Sequence, residues 1–345
     1  MRLGIIARSD NTGLGNQTME LVKMLNPSKI LLINSSFFNN NKQHPEWYKG
    51  YDVIQTTKGM PKTNEIVVFL ENLDVVISCE TFYHLEFVNL ARKRGIKTIL
   101  QYNYELFGNL AHSEWALPDV LLAPSVWNID IVMSKFGSQS KVMHLPPPTD
   151  SMLFNNARDI NLSQNHKRIL HIAGKKAAKD RNGTGTVIDM MKYSNAEFEL
   201  VIKTQTPLDV KPGDPRIKVD YSNPDSRESM YEGFDAMVLP RRYAGLCLPM
   251  NEALMSALPV FMTDISPNNA VLPGKWLIES RKIDEFKTKS MVNVYDADYK
   301  RLARVIDKYV ENNRKIKIKE NALEIGLENF SADKLKQKYI NLIEE

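Results

Sequence analysis

The residues best placed to do chemistry lie in Arg242-Tyr-Ala-Gly-Leu-Cys-Leu-Pro-Met-Asn-Glu-Ala-Leu-Met-Ser-Ala-Leu-Pro-Val260. They follow an apolar run, Asp235-Ala-Met-Val-Leu-Pro240, that reads as a buried strand. Gly245 opens a loop, a helix starting near Leu248-Pro249 carries Glu252 in its first turn, and Pro259-Val260 begins the next strand. A strand, a Gly loop and a helix in this order aim backbone N–H groups and a positive helix end at whatever lies in front of them. A diphosphate suits that position, and a carboxylate one turn into the helix suits two vicinal hydroxyls, as a ribose presents. The stretch reads either as half of a nucleotide-sugar site or as one more crossover of an α/β protein.

Two further constellations bear on that choice. His171-Ile-Ala-Gly-Lys-Lys-Ala-Ala-Lys-Asp-Arg-Asn-Gly-Thr184 gathers Lys175, Lys176, Lys179 and Arg181 beside Gly174 and Gly183, directly after an expected strand. A cationic Gly loop at a strand end suits a diphosphate leaving group, although charge runs are often only solvated loops. Arg8-Ser-Asp-Asn-Thr-Gly-Leu-Gly-Asn-Gln-Thr18 follows the first expected strand. There Gly13 and Gly15 allow close approach to a phosphate or a sugar. The spacing is not the dinucleotide fingerprint, because no third Gly stands where that pattern needs it.

The elements that must hold these loops follow from hydrophobic patterning. Expected strands are Leu3–Ala7, Lys29–Ile33, Val53–Gln55, Val75–Ser78, Thr98–Gln101, Val120–Ala123 and Lys141–Leu145, alternating with helices at Asn16–Met24, Thr63–Leu70, Leu85–Arg94 and Val126–Phe136. Such alternation indicates a parallel, doubly wound sheet. Leu145-Pro-Pro-Pro-Thr149 marks a linker, followed by a polar stretch, Asn155–Lys167. Strands resume at Arg168–Ala173, Phe198–Thr204, Ile217–Asp220, Ala236–Leu239, Pro259–Met262 and Trp276–Leu277, and the last hundred residues read as mostly helical. The expected organisation is a domain over residues 1–150, a second over 151–325, and a terminal helix over 326–345 that packs back on the first domain. Ligands of open α/β sheets bind outside the strand carboxyl ends, which puts the expected site in a cleft between the two domains.

Composition sets outer limits. At 345 residues and 43% hydrophobic, the chain can bury two ordinary cores. No apolar run approaches a membrane span, so no stable membrane insertion is expected. Met1-Arg-Leu-Gly-Ile-Ile-Ala7 leads straight into a strand without a signal-peptide pattern, and Cys79 and Cys247 suggest neither disulfides nor a metal cluster. A reducing cytoplasm fits. The net charge of +4 is compatible with polyanionic partners without demanding them.

Taken in order, Gly13-Leu-Gly15, Gly174-Lys175 with Lys179, Arg181 and Gly183, and Ala244-Gly-Leu-Cys-Leu-Pro-Met-Asn-Glu-Ala253 resemble the motifs of the GT-B glycosyltransferases, especially the family-4 nucleotide-sugar enzymes. Ala123-Pro-Ser125 and Leu145-Pro-Pro-Pro-Thr-Asp150 with Phe154 extend the resemblance over nearly the whole chain. It implies two Rossmann-like doubly wound domains facing across a cleft, and transfer of a sugar from a nucleoside diphosphate, first of all a UDP-sugar. It implies no cofactor and no metal. By resemblance Glu252 takes the ribose hydroxyls, Lys175, Lys179 and Arg181 the diphosphate, and amides near Gly13, Gly15, Gly245 and Leu246 complete the anion site. Two departures stand out: the first Glu of the family motif is Ala244, and the usual Arg of the phosphate segment is Lys175.

On the first domain, Cys79-Glu-Thr-Phe-Tyr-His84 and Gln101-Tyr-Asn-Tyr-Glu105 stand at expected strand ends. An inverting enzyme needs a general base there, for which Glu80, Asp10 and Glu105 are the candidates. A retaining enzyme, which the resemblance favours, needs no obvious base. Asn103, Tyr104 and Arg242 are the expected acceptor contacts, although Glu80 also suits a helix cap and the tyrosines a core. The Gly loops and Asp180-Arg-Asn-Gly-Thr184 also resemble a bacteriophage-type subgroup, which points to a host cytoplasm and a hydroxymethylated base in duplex DNA as acceptor. Arg92-Lys-Arg94, Arg241-Arg242 and Arg314-Lys-Ile-Lys-Ile-Lys319 are the candidate basic face for that DNA. A cell-surface polysaccharide or lipid-linked glycan is the alternative acceptor. A non-catalytic nucleotide-sugar binder is the alternative from another class, kept open by Ala244.

Overall fold

The computed structural model describes residues 1–37, 42–109, 115–210, 212–222, 224 and 226–345. It divides into two compact units, Met1–Pro148 with Ala332–Glu345, and Thr149–Ser331. The first unit runs β1 (Leu3–Ala7), α1 (Gly13–Leu25), β2 (Lys29–Leu32), β3 (Val53–Gln55), α2 (Thr63–Leu70), β4 (Val75–Cys79), α3 (Phe87–Arg92), β5 (Lys97–Gln101), β6 (Val120–Ala123), α4 (Ile129–Phe136) and β7 (Lys141–His144). The second runs α5 (Asn155–Ser163), β8 (Arg168–Gly174), α6 (Thr184–Met191), β9 (Glu199–Thr204), β10 (Ile217–Asp220), β11 (Ala236–Leu239), α7 (Leu248–Met255), β12 (Val260–Thr263), β13 (Leu277–Ile278), β14 (Ser280–Lys287), β15 (Met291–Ala297), α8 (Tyr299–Val310) and α9 (Lys315–Phe330). The final helix, α10 (Ala332–Glu344), belongs to the first unit.

The first sheet is parallel in the order β3-β2-β1-β4-β5-β6-β7. Its central strands β1, β4 and β6 are buried along their whole length because both faces are covered. Ile6, Leu31, Val76, Leu100 and Leu121 join the face packed by α2, α3 and α4. Ile5, Ile30, Ile77, Ile99 and Leu122 join the face packed by α1 and α10. Tyr339 fixes α10, accepting from Gln101 Nε2 and donating to the Pro146 carbonyl, each at 3.0 Å.

The second sheet is parallel in the order β10-β9-β8-β11-β12-β13. In both units the strand order reverses beside the first strand, between β1 and β4 and between β8 and β11. Those two switch points open the crevices where such sheets hold ligands.

Two elements depart from the sequence reading. The polar stretch after the Pro run forms α5, because Asn161 is fully buried and acts as a bracket. Its Nδ2 donates to the Tyr231 and Ser256 carbonyls, and its Oδ1 accepts from the Gly233 and Phe234 amides. The second is the antiparallel pair β14–β15 within a tail expected to be mostly helical. Its buried side, Val292, Val294 and Ala297, is outweighed in the sequence by the charges of Ser280–Lys287.

Candidate donor and acceptor sites

At the second switch point, the loop from Gly174 to Gly183 leaves β8 and enters α6. Four residues in it have left-handed backbones: Gly174 (φ +66°), Lys179 (+56°), Asp180 (+49°) and Gly183 (+71°). A side chain at Gly183 would strike the Pro240 carbonyl, so the position admits only glycine. Asp180 accepts from the Thr184 and Gly185 amides at 3.0 and 2.9 Å. The protein's own carboxylate therefore fills the N-terminus of α6. His171, fully buried, has burial pushing its pKa down against the hydrogen bond to Val238. The neutral ring donates from Nδ1 to the Val238 carbonyl and accepts at Nε2 from the Thr184 hydroxyl, both at 2.9 Å, tying β8 to β11 and α6.

The loop after β11 is knitted to this one. The Arg242 amide donates to the Arg181 carbonyl (2.9 Å), Arg242 Nη1 to the Lys179 carbonyl (2.9 Å), and the Tyr243 hydroxyl to the Ala178 carbonyl (2.7 Å). The hairpin β14–β15 braces both loops. Asp284 pairs with Lys179 at 2.7 Å, Phe286 meets Tyr243 edge to face, and Arg242 Nε donates to the Tyr295 carbonyl at 3.2 Å. Arg242, expected among the acceptor contacts and in a basic face, is thus held within this unit. Its neighbour Arg241 is buried, and Lys319 is buried in an ion pair with Asp235. The Arg241–Arg242 patch and the Lys319 end of the third patch are therefore not solvent-facing cations.

Lys175 and Arg181 line a cavity of about 240 Å³, together with Lys176, Thr204 and Thr206. Lys175 is exposed, whereas Lys179 is turned to Asp284. Gly245 and Leu246 lead into α7, which has Pro249 at its second position, where the missing N–H costs no helical bond. Glu252 is the fifth helical residue and opens the second turn rather than lying in the first. It is only 6% exposed. Its Oε1 accepts from Arg227 Nε (2.9 Å) and Nη2 (2.5 Å), and its Oε2 accepts from the Tyr231 hydroxyl (2.5 Å). Arg227 also lies 5.6 Å over the Phe154 ring. Burial, and then the nearby Glu252 charge, push the Tyr231 phenol well above its usual range. Nothing in the sequence marks Arg227 and Tyr231 as partners of a residue on α7.

At the first switch point, Thr12 caps α1 by accepting from the Gly15 amide at 3.2 Å. A side chain at Gly15 would strike the Asp10 carbonyl, so packing of its own loop accounts for this glycine, while Gly13 is exposed. Asp10 is fully buried. Its Oδ2 accepts twice from Arg8, at 2.9 and 2.7 Å, and its Oδ1 accepts from the Thr12 hydroxyl. Burial raises its pKa, but hydrogen bonds from Ser35, Thr12 and Arg8 outweigh that and hold the carboxyl below the usual range. Glu80, just after β4, has a left-handed backbone (φ +65°) and accepts from Asn103 Nδ2 at 2.6 Å. Burial raises its pKa, against the Asn103 bond, and the Glu105 charge adds to the rise. Glu80, Asn103 and Glu105 are thus brought together, while Tyr104 is buried against Phe107 and Trp127 as a core aromatic.

No family model matches the sequence, and no characterised protein matches it significantly. Solved structures do match. HepE from Anabaena, in complex with UDP-glucose, superposes with a TM-score of 0.68 at 10% identity over 100% of this chain and 99% of that one. Sucrose-phosphate synthase from Thermosynechococcus elongatus gives 0.67 at 11% identity, over 100% and 98% of the two chains. The fold is GT-B. A glycosyltransferase from Rickettsia africae gives 0.67 at 12%, over 99% and 97%. The loops after β1 and β4 flank the first switch point, and the loops after β8 and β11 flank the second. Among the described residues no helix is long and apolar enough to cross a membrane, and no group of three or more His, Cys, Asp or Glu is placed to hold a metal ion.

Proposed function

We propose that this chain transfers a sugar from a nucleoside-diphosphate sugar, with UDP-sugars as the first donors to test, to a hydroxyl acceptor. One observation carries the reading. At the β8/β11 switch point, a cationic loop bearing Lys175 and Arg181 is bound to a second loop that leads through Gly245 and Leu246 into α7 and Glu252. HepE, of the same fold, is solved with UDP-glucose, which supports the choice of donor.

In this reading Lys175 and Arg181 stabilise the charge that develops on the leaving diphosphate. Glu252, oriented by Arg227 and Tyr231, meets a ribose hydroxyl through the remaining lone pair of Oε2. Among the three carboxylates of the first unit, Glu80 suits a general base best, because its raised pKa brings its basicity toward neutral pH. Asp10, bonded at both oxygens, suits a structural role. The DNA acceptor rests on the resemblance alone, and the Arg241–Arg242 pair it would use is engaged inside the second unit.

The test is turnover of a panel of UDP- and GDP-sugars against duplex DNA containing hydroxymethylcytosine and against surface-type glycans, read by product mass. A sugar mass shift on either acceptor names donor and acceptor together. Nucleotide binding without release from any donor would favour the non-catalytic binder, and no binding of any nucleotide would end the donor reading.

A further inference from the structure

The turn that follows β4 is strained, and it is held from several sides. The Glu80 amide donates to the Gln101 carbonyl at 2.8 Å, so pairing with β5 runs past the end of the strand. The Thr81 amide donates to the Cys79 carbonyl at 2.8 Å, which closes a three-residue γ-turn on Glu80. The positive φ at its centre (+65°) marks the rare, strained form of that turn. Three residues on, Tyr83 is left-handed as well (φ +59°). The Ser78 hydroxyl donates to the Thr81 carbonyl, and the Tyr83 amide donates to the Thr81 hydroxyl at 3.2 Å. Glycine would relieve such a backbone, yet a glutamate stands there.

That glutamate is half-buried, and it is not a helix cap, because α3 begins at Phe87. Asn103 Nδ2 holds its Oε1 at 2.6 Å. Among the described residues its Oε2 accepts no hydrogen bond, and that oxygen is open to solvent. The charges acting on the carboxylate are Glu105 and Arg8, and Arg8 is bonded to Asp10. The Tyr83 phenol and the Cys79 thiol lie near it and are both kept neutral by burial. One oxygen is thus clamped and the other presented, the arrangement a carboxylate needs to take a proton from a hydroxyl.

We infer that transfer by this chain inverts the anomeric carbon, with Glu80 as general base and Asn103 as the residue that positions it. The inference rests on the transfer proposed above and departs from the retention that the resemblance favours. In a single step, Glu80 Oε2 takes the proton of the acceptor hydroxyl as that oxygen bonds to the anomeric carbon on the face opposite the leaving group. The bond from that carbon to the diphosphate breaks, and its electron pair leaves on the phosphate oxygen. Asn103 becomes a positioning residue in place of the acceptor contact expected from the sequence.

The experiment uses the full chain with the donor and acceptor that the panel of UDP- and GDP-sugars identifies. It reads the anomeric configuration of the product by proton NMR, and kcat and KM over pH for wild type, Glu80→Gln and Asn103→Ala. Wild type is expected to give the configuration opposite to the donor's. Glu80→Gln keeps an acceptor for Asn103 and is expected to lower kcat about a hundredfold or more with UDP affinity unchanged. Asn103→Ala is expected to lower kcat about tenfold with the donor KM unchanged. It should also move the acid limb of kcat/KM to higher pH, because the lost bond favours the ionised carboxylate. A product with the donor's configuration, or an unchanged kcat in Glu80→Gln, overturns the inference and leaves the transfer reading standing. An acid limb that stays in place in Asn103→Ala overturns the positioning role. No turnover of any donor ends the transfer reading and the inference with it.

Discussion

Replacing Glu252 by alanine tests how this carboxylate is held. Its side chain is 7% exposed and that of Arg227 is 13% exposed, so the pair is buried. Removing one partner of such a pair leaves an uncompensated charge and costs about 3–5 kcal/mol. Arg227 keeps its contact with the Phe154 ring, worth about 0.5–1 kcal/mol, so the low end applies, about 3 kcal/mol. For a unit of this size that lowers the thermal midpoint by roughly 6–12 °C. Removing both charges, as Glu252→Ala with Arg227→Met, should recover about 2 kcal/mol of the loss, a coupling typical of contacting residues. Glu252→Gln keeps the shape and an acceptor for Arg227, and should cost only about 1–2 kcal/mol. Calorimetric melts of the wild type, these three variants and Arg227→Met alone, with UDP titrations alongside, separate folding from binding and close the cycle. The glutamine variant should fold near the wild-type midpoint yet bind UDP at least tenfold more weakly. A Glu252→Ala loss below about 1 kcal/mol, or additive single and double variants, would refute the buried-pair reasoning.

Three further outcomes follow from particular residues. Ala244 sits at φ +102°, where an L residue is strained, so Ala244→Gly should raise stability by about 1 kcal/mol, and a lowered melting midpoint would count against it. The folded-state pKa of Asp10 lies below the ordinary aspartate value of 3.8, so its stabilisation is present above that value and is lost as pH falls through the folded pKa. Asp10→Asn should therefore be less stable than wild type at pH 7, with the gap closing below about pH 4 in acid titrations of stability. If Glu80 is the base, the acid limb of the kcat/KM profile should lie above the usual glutamate value of 4.5, and Glu80→Gln should abolish that limb; a limb unchanged in the variant rejects the role.

The parallel sheets were legible because their strands are short apolar runs bounded by turns. Leu3–Ala7, Val53–Gln55, Val120–Ala123, Ile217–Asp220 and Ala236–Leu239 form as the pattern predicts. What patterning missed depends on partners distant in sequence. Asn161 anchors α5 through Tyr231, Gly233, Phe234 and Ser256, all at least 70 positions away. The charged strand β14 is stable only against the buried side of β15 and the loops it braces. The same holds at the candidate sites. The Gly and Lys content of the loops after β8 and β11 marked them as candidates. It did not show that Asp180 would close α6, that Lys179 would pair with Asp284, or that Glu252 would be bonded to residues 21 and 25 positions earlier. Gly15 illustrates the converse: its type fits a ligand loop, while its surroundings give it a packing reason.

The central claim is that the loops after β8 and β11 hold the donor. Amide hydrogen exchange of the full chain with and without a UDP-sugar tests it most directly. The account predicts added protection in residues 174–185 and 241–252, with smaller changes in the other strand-end loops of the second sheet. Binding that leaves both segments unprotected, or protects only segments elsewhere, would contradict it.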